Sequence, residues 1–85
     1  MKLGLLAGNI GPRVKVDMGV VKHAETLGFD SVWTAEAWGG DAVTPATWML
    51  AHTSKIKVGT AIMQMPARSP AMSAMTAMSL AELSG

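Results

Sequence analysis

The chain has 85 residues, 8.9 kDa, 49% of them apolar, and a formal charge of +1 from seven Lys plus Arg against six Asp plus Glu. That length excludes a complete two-domain enzyme, the apolar content excludes a disordered chain, and the balanced charge excludes the basic footprint of a nucleic-acid binder. There is no cysteine, hence no disulfide framework and no thiolate metal site, and no metal is expected. The longest apolar runs, such as residues 48–51, are far too short to cross a membrane, and residues 3–7 are too short for a secretory apolar region. The expected location is cytoplasmic, with neither membrane nor nucleic acid as a partner.

Residues 3–7 (Leu3, Gly4, Leu5, Leu6, Ala7) form an apolar run without alternation, the pattern of a strand buried on both faces. Gly8, Asn9, Ile10, Gly11 and Pro12 end it with turn chemistry. A helix is predicted over residues 16–27, where Val20, Val21, Ala24 and Leu27 recur at helical spacing and Lys22, His23, Glu25 and Thr26 cover the other side. Gly28 follows at the position that favours a left-handed residue. A second strand covers residues 31–34. Thr44 and Pro45 then predict a capped helix over residues 45–53. Residues 56–63, rich in β-branched side chains, form the third strand. Ser69 and Pro70 repeat the capped start for a last helix running to Leu83, with Gly85 as its C-terminal cap.

The order β-α-β-α-β-α means parallel strands with right-handed crossovers. The fold class is α/β, either a doubly wound sheet or part of a (β/α)8 barrel. The last helix carries one polar stripe, Ser69, Ser73, Thr76, Ser79 and Glu82, and is otherwise almost all Ala, Met and Leu. A helix apolar over most of its circumference is expected to be buried on several sides, against further chain or a partner subunit.

No dinucleotide fingerprint is present, because Pro12 spoils the glycine-rich helix start after the first strand, and there is no phosphate-binding loop with Gly-Lys-Ser/Thr. His23 and His52 read as exposed helix histidines, and Trp33 and Trp48 as core and helix-packing residues. Met72, Met75 and Met78 read as core filler. Asp41 reads as a turn or cap residue, and Trp38 as either a ligand-stacking ring or a cover. Glu36 stands apart. It lies just past the C-terminal end of the second strand, where ligands bind in barrels and open sheets. The third strand ends in small residues, Gly59, Thr60 and Ala61, which would let backbone approach a planar ligand.

Several stretches together carry a resemblance. They are Leu27-Gly28-Phe29-Asp30-Ser31-Val32-Trp33, Thr34-Ala35-Glu36-Ala37-Trp38-Gly39-Gly40-Asp41-Ala42, Lys57-Val58-Gly59-Thr60-Ala61-Ile62-Met63-Gln64-Met65, Ala67-Arg68-Ser69-Pro70-Ala71 and Leu80-Ala81-Glu82-Leu83-Ser84-Gly85. The joint pattern resembles the N-terminal portion of the bacterial-luciferase-like superfamily, nearest to its deazaflavin (coenzyme F420) oxidoreductases. The resemblance implies a (β/α)8 TIM barrel of which residues 1–85 are about the first three βα units. It also implies a non-proline cis peptide, matched here by Ala61–Ile62, behind the coenzyme ring. In a chain where the third strand is an edge, relaxation of that bond to trans becomes easier. Gln64 matches a polar position that can hydrogen-bond the ring. Many relatives have a proton-transferring histidine just after the second strand. Glu36 stands there instead, and could exchange protons if burial raised its pKa.

The expected activity is hydride transfer between deazaflavin F420 and a small-molecule organic substrate by the complete enzyme, with Glu36 catalytic and Ala61, Ile62 and Gln64 against the coenzyme. The full-length form is expected to be a homo-oligomer. Two alternatives stand beside this: an FMN-dependent monooxygenase of the same superfamily, and a non-catalytic truncated product or assembly fragment.

Overall fold

The computed structural model describes residues 1–7, 13–36 and 39–85. Their order is β1 (Gly4–Leu6), α1 (Met18–Thr26), β2 (Ser31–Ala35), α2 (Val43–His52), β3 (Lys57–Ile62), a 3-10 turn (Met65–Ala67) and α3 (Pro70–Ser84). Each predicted strand and helix is present in its predicted place. The strands form one parallel sheet in the order β1-β2-β3, with Gly4 opposite Ser31 and Ser31 opposite Lys57. The turn chemistry of residues 8–12 and the Trp38 ring lie outside the described residues.

Side chains alternate across the sheet. Val32 from β2 joins Val21 and Ala24 of α1, Met49 of α2 and Ile56 in one buried cluster, with Leu5, Ala7 and Val58 packed against it. Helices α1 and α2 therefore cover the same face. The opposite face carries Gly4, Leu6, Trp33 and Gly59, and it stays open: Leu6 is 56% and Trp33 40% exposed. This corrects the expectation that the first strand is buried on both faces. Val20 in α1 and Leu27 just past its end also remain exposed, so only Val21 and Ala24 of the predicted stripe enter the core.

The two tryptophans depart from the predicted core role. The Trp33 indole lies across the open face, its Nε1 donating to Ser31 Oγ at 2.8 Å. A Cβ at Gly59 would stand 2.6 Å from Trp33 Cζ3, and one at Gly4 3.2 Å from Nε1. The small residue at position 59 thus makes room for this indole. Trp48 is 55% exposed because Met49, the next residue, fills the core. Its ring leans on His52 with centroids 4.5 Å apart. Both histidines are exposed, as predicted.

Capping sets the helix ends. Asp17 accepts from Val20 N at 3.2 Å to open α1, and Gly28 follows its end with φ 84°. The start of α2 differs from expectation. Asp41 Oδ2 accepts from Thr44 N at 2.9 Å and Thr44 Oγ1 at 3.0 Å. The cap interaction comes from Asp41, so the helix begins at Val43 and Thr44 falls inside its first turn. In α3, Ser69 Oγ accepts from Met72 N at 3.1 Å, Pro70 opens the helix, and Gly85 closes it with φ 84°.

α3 is the element whose packing departs furthest from the sequence reading. None of its residues is buried. Ser73 and Thr76 from the polar stripe, with Leu80, are its half-buried positions, while Met72, Met75 and Met78 are exposed. A cavity of about 510 Å³ remains between α2, β3 and α3, lined among others by Ala46, Leu50, Val58, Thr60, Thr76 and Leu80. Among the described residues no helix is long and apolar enough to cross a membrane.

Candidate functional site

In parallel α/β folds the C-terminal ends of the strands form the ligand-binding edge. At that edge the pairing of β2 with β3 loses its regularity. Thr34 pairs with Thr60, but Ala35 pairs with Ile62, so Ala61 is an extra residue with no Cα partner on β2. This is a β-bulge, a device common beside active sites because it re-aims the residues that follow. Ala61 and Ile62 are exposed there, Ile62 at 58%. Every described peptide bond is trans, including Ala61–Ile62.

Glu36 holds the edge together. Its backbone N donates to Ile62 O at 3.1 Å, which rejoins the strands just beyond the bulge. Its carboxylate is 6% exposed and fully engaged. Oε1 accepts from Arg68 Nη1 and from Gln64 N, each at 2.5 Å, and Oε2 accepts from Ala42 N at 2.9 Å. Thr34 Oγ1, one turn of the pleat below, donates to Ala42 O at 2.8 Å. One side chain therefore joins the end of β2, the start of α2 and the segment between β3 and α3.

The Arg68 guanidinium holds the Glu36 carboxyl at about pKa 2, against an ordinary 4.5, aided by the Gln64 and Ala42 N–H groups and opposed by burial. The expectation of proton exchange by Glu36 required the opposite shift. A carboxylate this acidic stays ionised near neutral pH and is a poor proton carrier. The cause is the paired arginine, which outweighs desolvation.

The structure thus brings together all four site residues read from the sequence: Glu36 contacts the backbone of Ile62 and Gln64, and Ala61 lies in the bulge between them and the regular ladder. The sequence reading gave no role to Arg68, although it stands in one of the resembling stretches. Its second nitrogen lies 3.8 Å from Asp41 Oδ2, so it bridges two carboxylates. A buried acid at a strand end calls for a cation, and Arg68, one of the two arginines of the chain, stands in the segment that follows β3 at that same edge.

A second carboxylate clamp sits at the opposite end of the sheet. Glu25 Oε2 accepts from Ser54, Lys55 and Ile56 N at 2.9, 2.7 and 2.9 Å. These three N–H groups, that of Ile56 foremost, lower its pKa. Glu25, read from the sequence as part of the solvent face, instead ties α1 to the loop entering β3.

For a flat ring, the edge offers the exposed Ala61 and Ile62 as an apolar shelf and Gln64 as a polar residue just beyond it. These residues fit a deazaflavin or flavin ring in chemistry. The cavity between α2, β3 and α3 lies on the helix side, and none of Glu36, Ala61, Ile62 or Gln64 lines it.

Comparison with known proteins agrees with this architecture. A Mycobacterium tuberculosis (strain ATCC 25618 / H37Rv) protein named "Putative coenzyme F420-dependent oxidoreductase Rv3520c" is 45% identical over 86 aligned positions, covering 100% of this chain and 25% of that relative. The chain spans a quarter of the length of that relative. Residues 6–85 match the family described as Luciferase-like monooxygenase. With β1-β2-β3 in one parallel sheet and a third strand bulged at its C-terminal end, the chain belongs to the luciferase-like monooxygenase family.

Proposed function

We propose that these residues are the first three βα units of a deazaflavin-dependent oxidoreductase, which moves a hydride between coenzyme F420 and a small organic substrate. The observation that carries this reading is the bulge at Ala61, with the strand end rejoined to β2 through Glu36 N and Ile62 O. It presents Ala61 and Ile62 at the sheet's C-terminal edge. The relative's printed name supports F420 as the coenzyme. When bound, the deazaflavin supplies the hydride-carrying ring carbon. The work of this chain is placement: Ala61 and Ile62 back one face of the ring, and Gln64 offers a polar contact at its edge. Glu36 keeps its charge and organises the shelf. A proton needed in the reaction would come from another group.

The test is a fluorescence titration of the full-length protein with coenzyme F420 and with FMN. Tighter binding of F420 is expected. Preference for FMN would place the protein among the flavin monooxygenases of the family.

A further inference from the structure

We infer that Arg68 is a positioning residue for the coenzyme shelf: acting through the Glu36 carboxylate, it fixes the backbone of residues 61–64. The inference rests on the reading of Ala61 and Ile62 as that shelf.

The regular ladder cannot define this segment, because the register breaks at Ala61. Among the described residues, two contacts from Glu36 reach this segment. Ile62 O is held by the Glu36 N–H, and Gln64 N–H is held by Glu36 Oε1. The first depends only on backbone. The second depends on where the carboxylate stands, and the carboxylate is set by Arg68 on Oε1 and Ala42 N–H on Oε2. The guanidinium side chain is itself only 17% exposed. Its planar fork lets it face Glu36 with one nitrogen and Asp41 with the other, a geometry that a lysine ammonium does not reproduce. Asp41 is in turn held by Thr44 at the start of α2. Arg68 thus closes a ring of contacts through the end of β2, the start of α2 and the segment after β3, all at the ligand edge.

Glu25 provides an internal comparison. It is also a carboxylate clamp between distant segments, but at the other end of the strands and with backbone partners at Ser54, Lys55 and Ile56. A purely structural role predicts that breaking either clamp has the same kind of effect. A positioning role predicts that only the Arg68 clamp reaches the coenzyme.

The experiment compares full-length Arg68→Met, Arg68→Lys and Glu25→Gln with the unmutated protein, measuring Tm and the affinities for coenzyme F420 and FMN by fluorescence. Arg68→Met is expected to weaken binding of the preferred ring at least about tenfold, and Arg68→Lys to restore only part of the loss. Glu25→Gln is expected to lower Tm while leaving affinity within about twofold. Affinity in Arg68→Met within twofold of the unmutated protein overturns the inference, as does an equal loss of affinity in Glu25→Gln. Should Arg68→Met fail to fold, Arg68→Lys decides, and unchanged affinity there overturns it. A preference for FMN refutes the deazaflavin reading, yet the Arg68 comparison is then read on FMN. Binding of neither ring by the unmutated protein overturns both.

Discussion

At the scale of single residues, two glutamates do most to join distant parts of the chain, and both should register in acid. Each has a folded-state pKa below the ordinary carboxylate value of 4.5, Glu36 at about 2. A carboxyl with a depressed folded pKa contributes stability that is present above its unfolded value and lost as pH falls through the folded one. Tm is therefore expected to decline from about pH 4.5 down to about 2. In Glu36→Gln that decline should be shallower, with Tm at pH 7 already lowered by a loss on the order of 3 kcal/mol, as when one member of a buried pair is removed. Calorimetry across that range checks both points, and an unchanged acid slope would remove Glu36 from the account. Gly59 gives a steric prediction. A Cβ there meets Trp33 Cζ3 at 2.6 Å, so Gly59→Ala should cost about 1–3 kcal/mol by overpacking. The cost should shrink in a Trp33→Leu background, measured as a double-mutant cycle. The position of Glu36 was legible because it directly follows a strand. Its partner was not, because Arg68 lies 32 residues away and nothing local couples the two. Glu25 was less legible still: its partners are backbone N–H groups, which leave no mark on the residue types.

At the scale of elements, the sequence carried the order, kind and approximate place of every strand and helix, because each is signalled locally by apolar runs, caps and glycine stops. Ser69, Pro70 and Gly85 framed α3 correctly for that reason. What it could not carry was how deeply each element packs, since that depends on neighbours. β2 is paired on both sides, and Val32 and Thr34 are fully buried. α3 buries no residue and turns Ser73 and Thr76 towards the body. Amide hydrogen exchange is therefore expected to be slowest in β2 and fastest, among the helices, in α3. The Ser69→Ala variant should raise exchange in the first turn of α3 and cost about 1 kcal/mol of helix stability through the lost Met72 N–H contact. Protection of α3 equal to that of β2 would mean that the helix is docked more firmly than its exposure implies.

The whole molecule presents too much surface for its mass. Its accessible area is 5959 Å², whereas a compact monomer of 8.9 kDa exposes about 4,800 Å². The excess is of the order of the roughly 800 Å² that each partner buries in a standard interface. It has identifiable sources in one open sheet face bearing Leu6 and Trp33, the outer strands β1 and β3, and Met72, Met75 and Met78 along α3. Unpaired strand edges and contiguous apolar surface both favour association with other chains. The 85-residue polypeptide by itself is therefore expected to self-associate or melt without a sharp transition, and sedimentation combined with calorimetry reads both behaviours. The same surface offers a sharper test by complementation. If it is the inner and flanking surface of a larger barrel, the part of the relative's length that this chain does not span, supplied in trans, should shift the 85-residue polypeptide into a defined complex with a cooperative melt. A strictly monomeric species with a sharp melt and no response to the complementing chain would instead identify an autonomous domain whose open face is a binding surface in its own right.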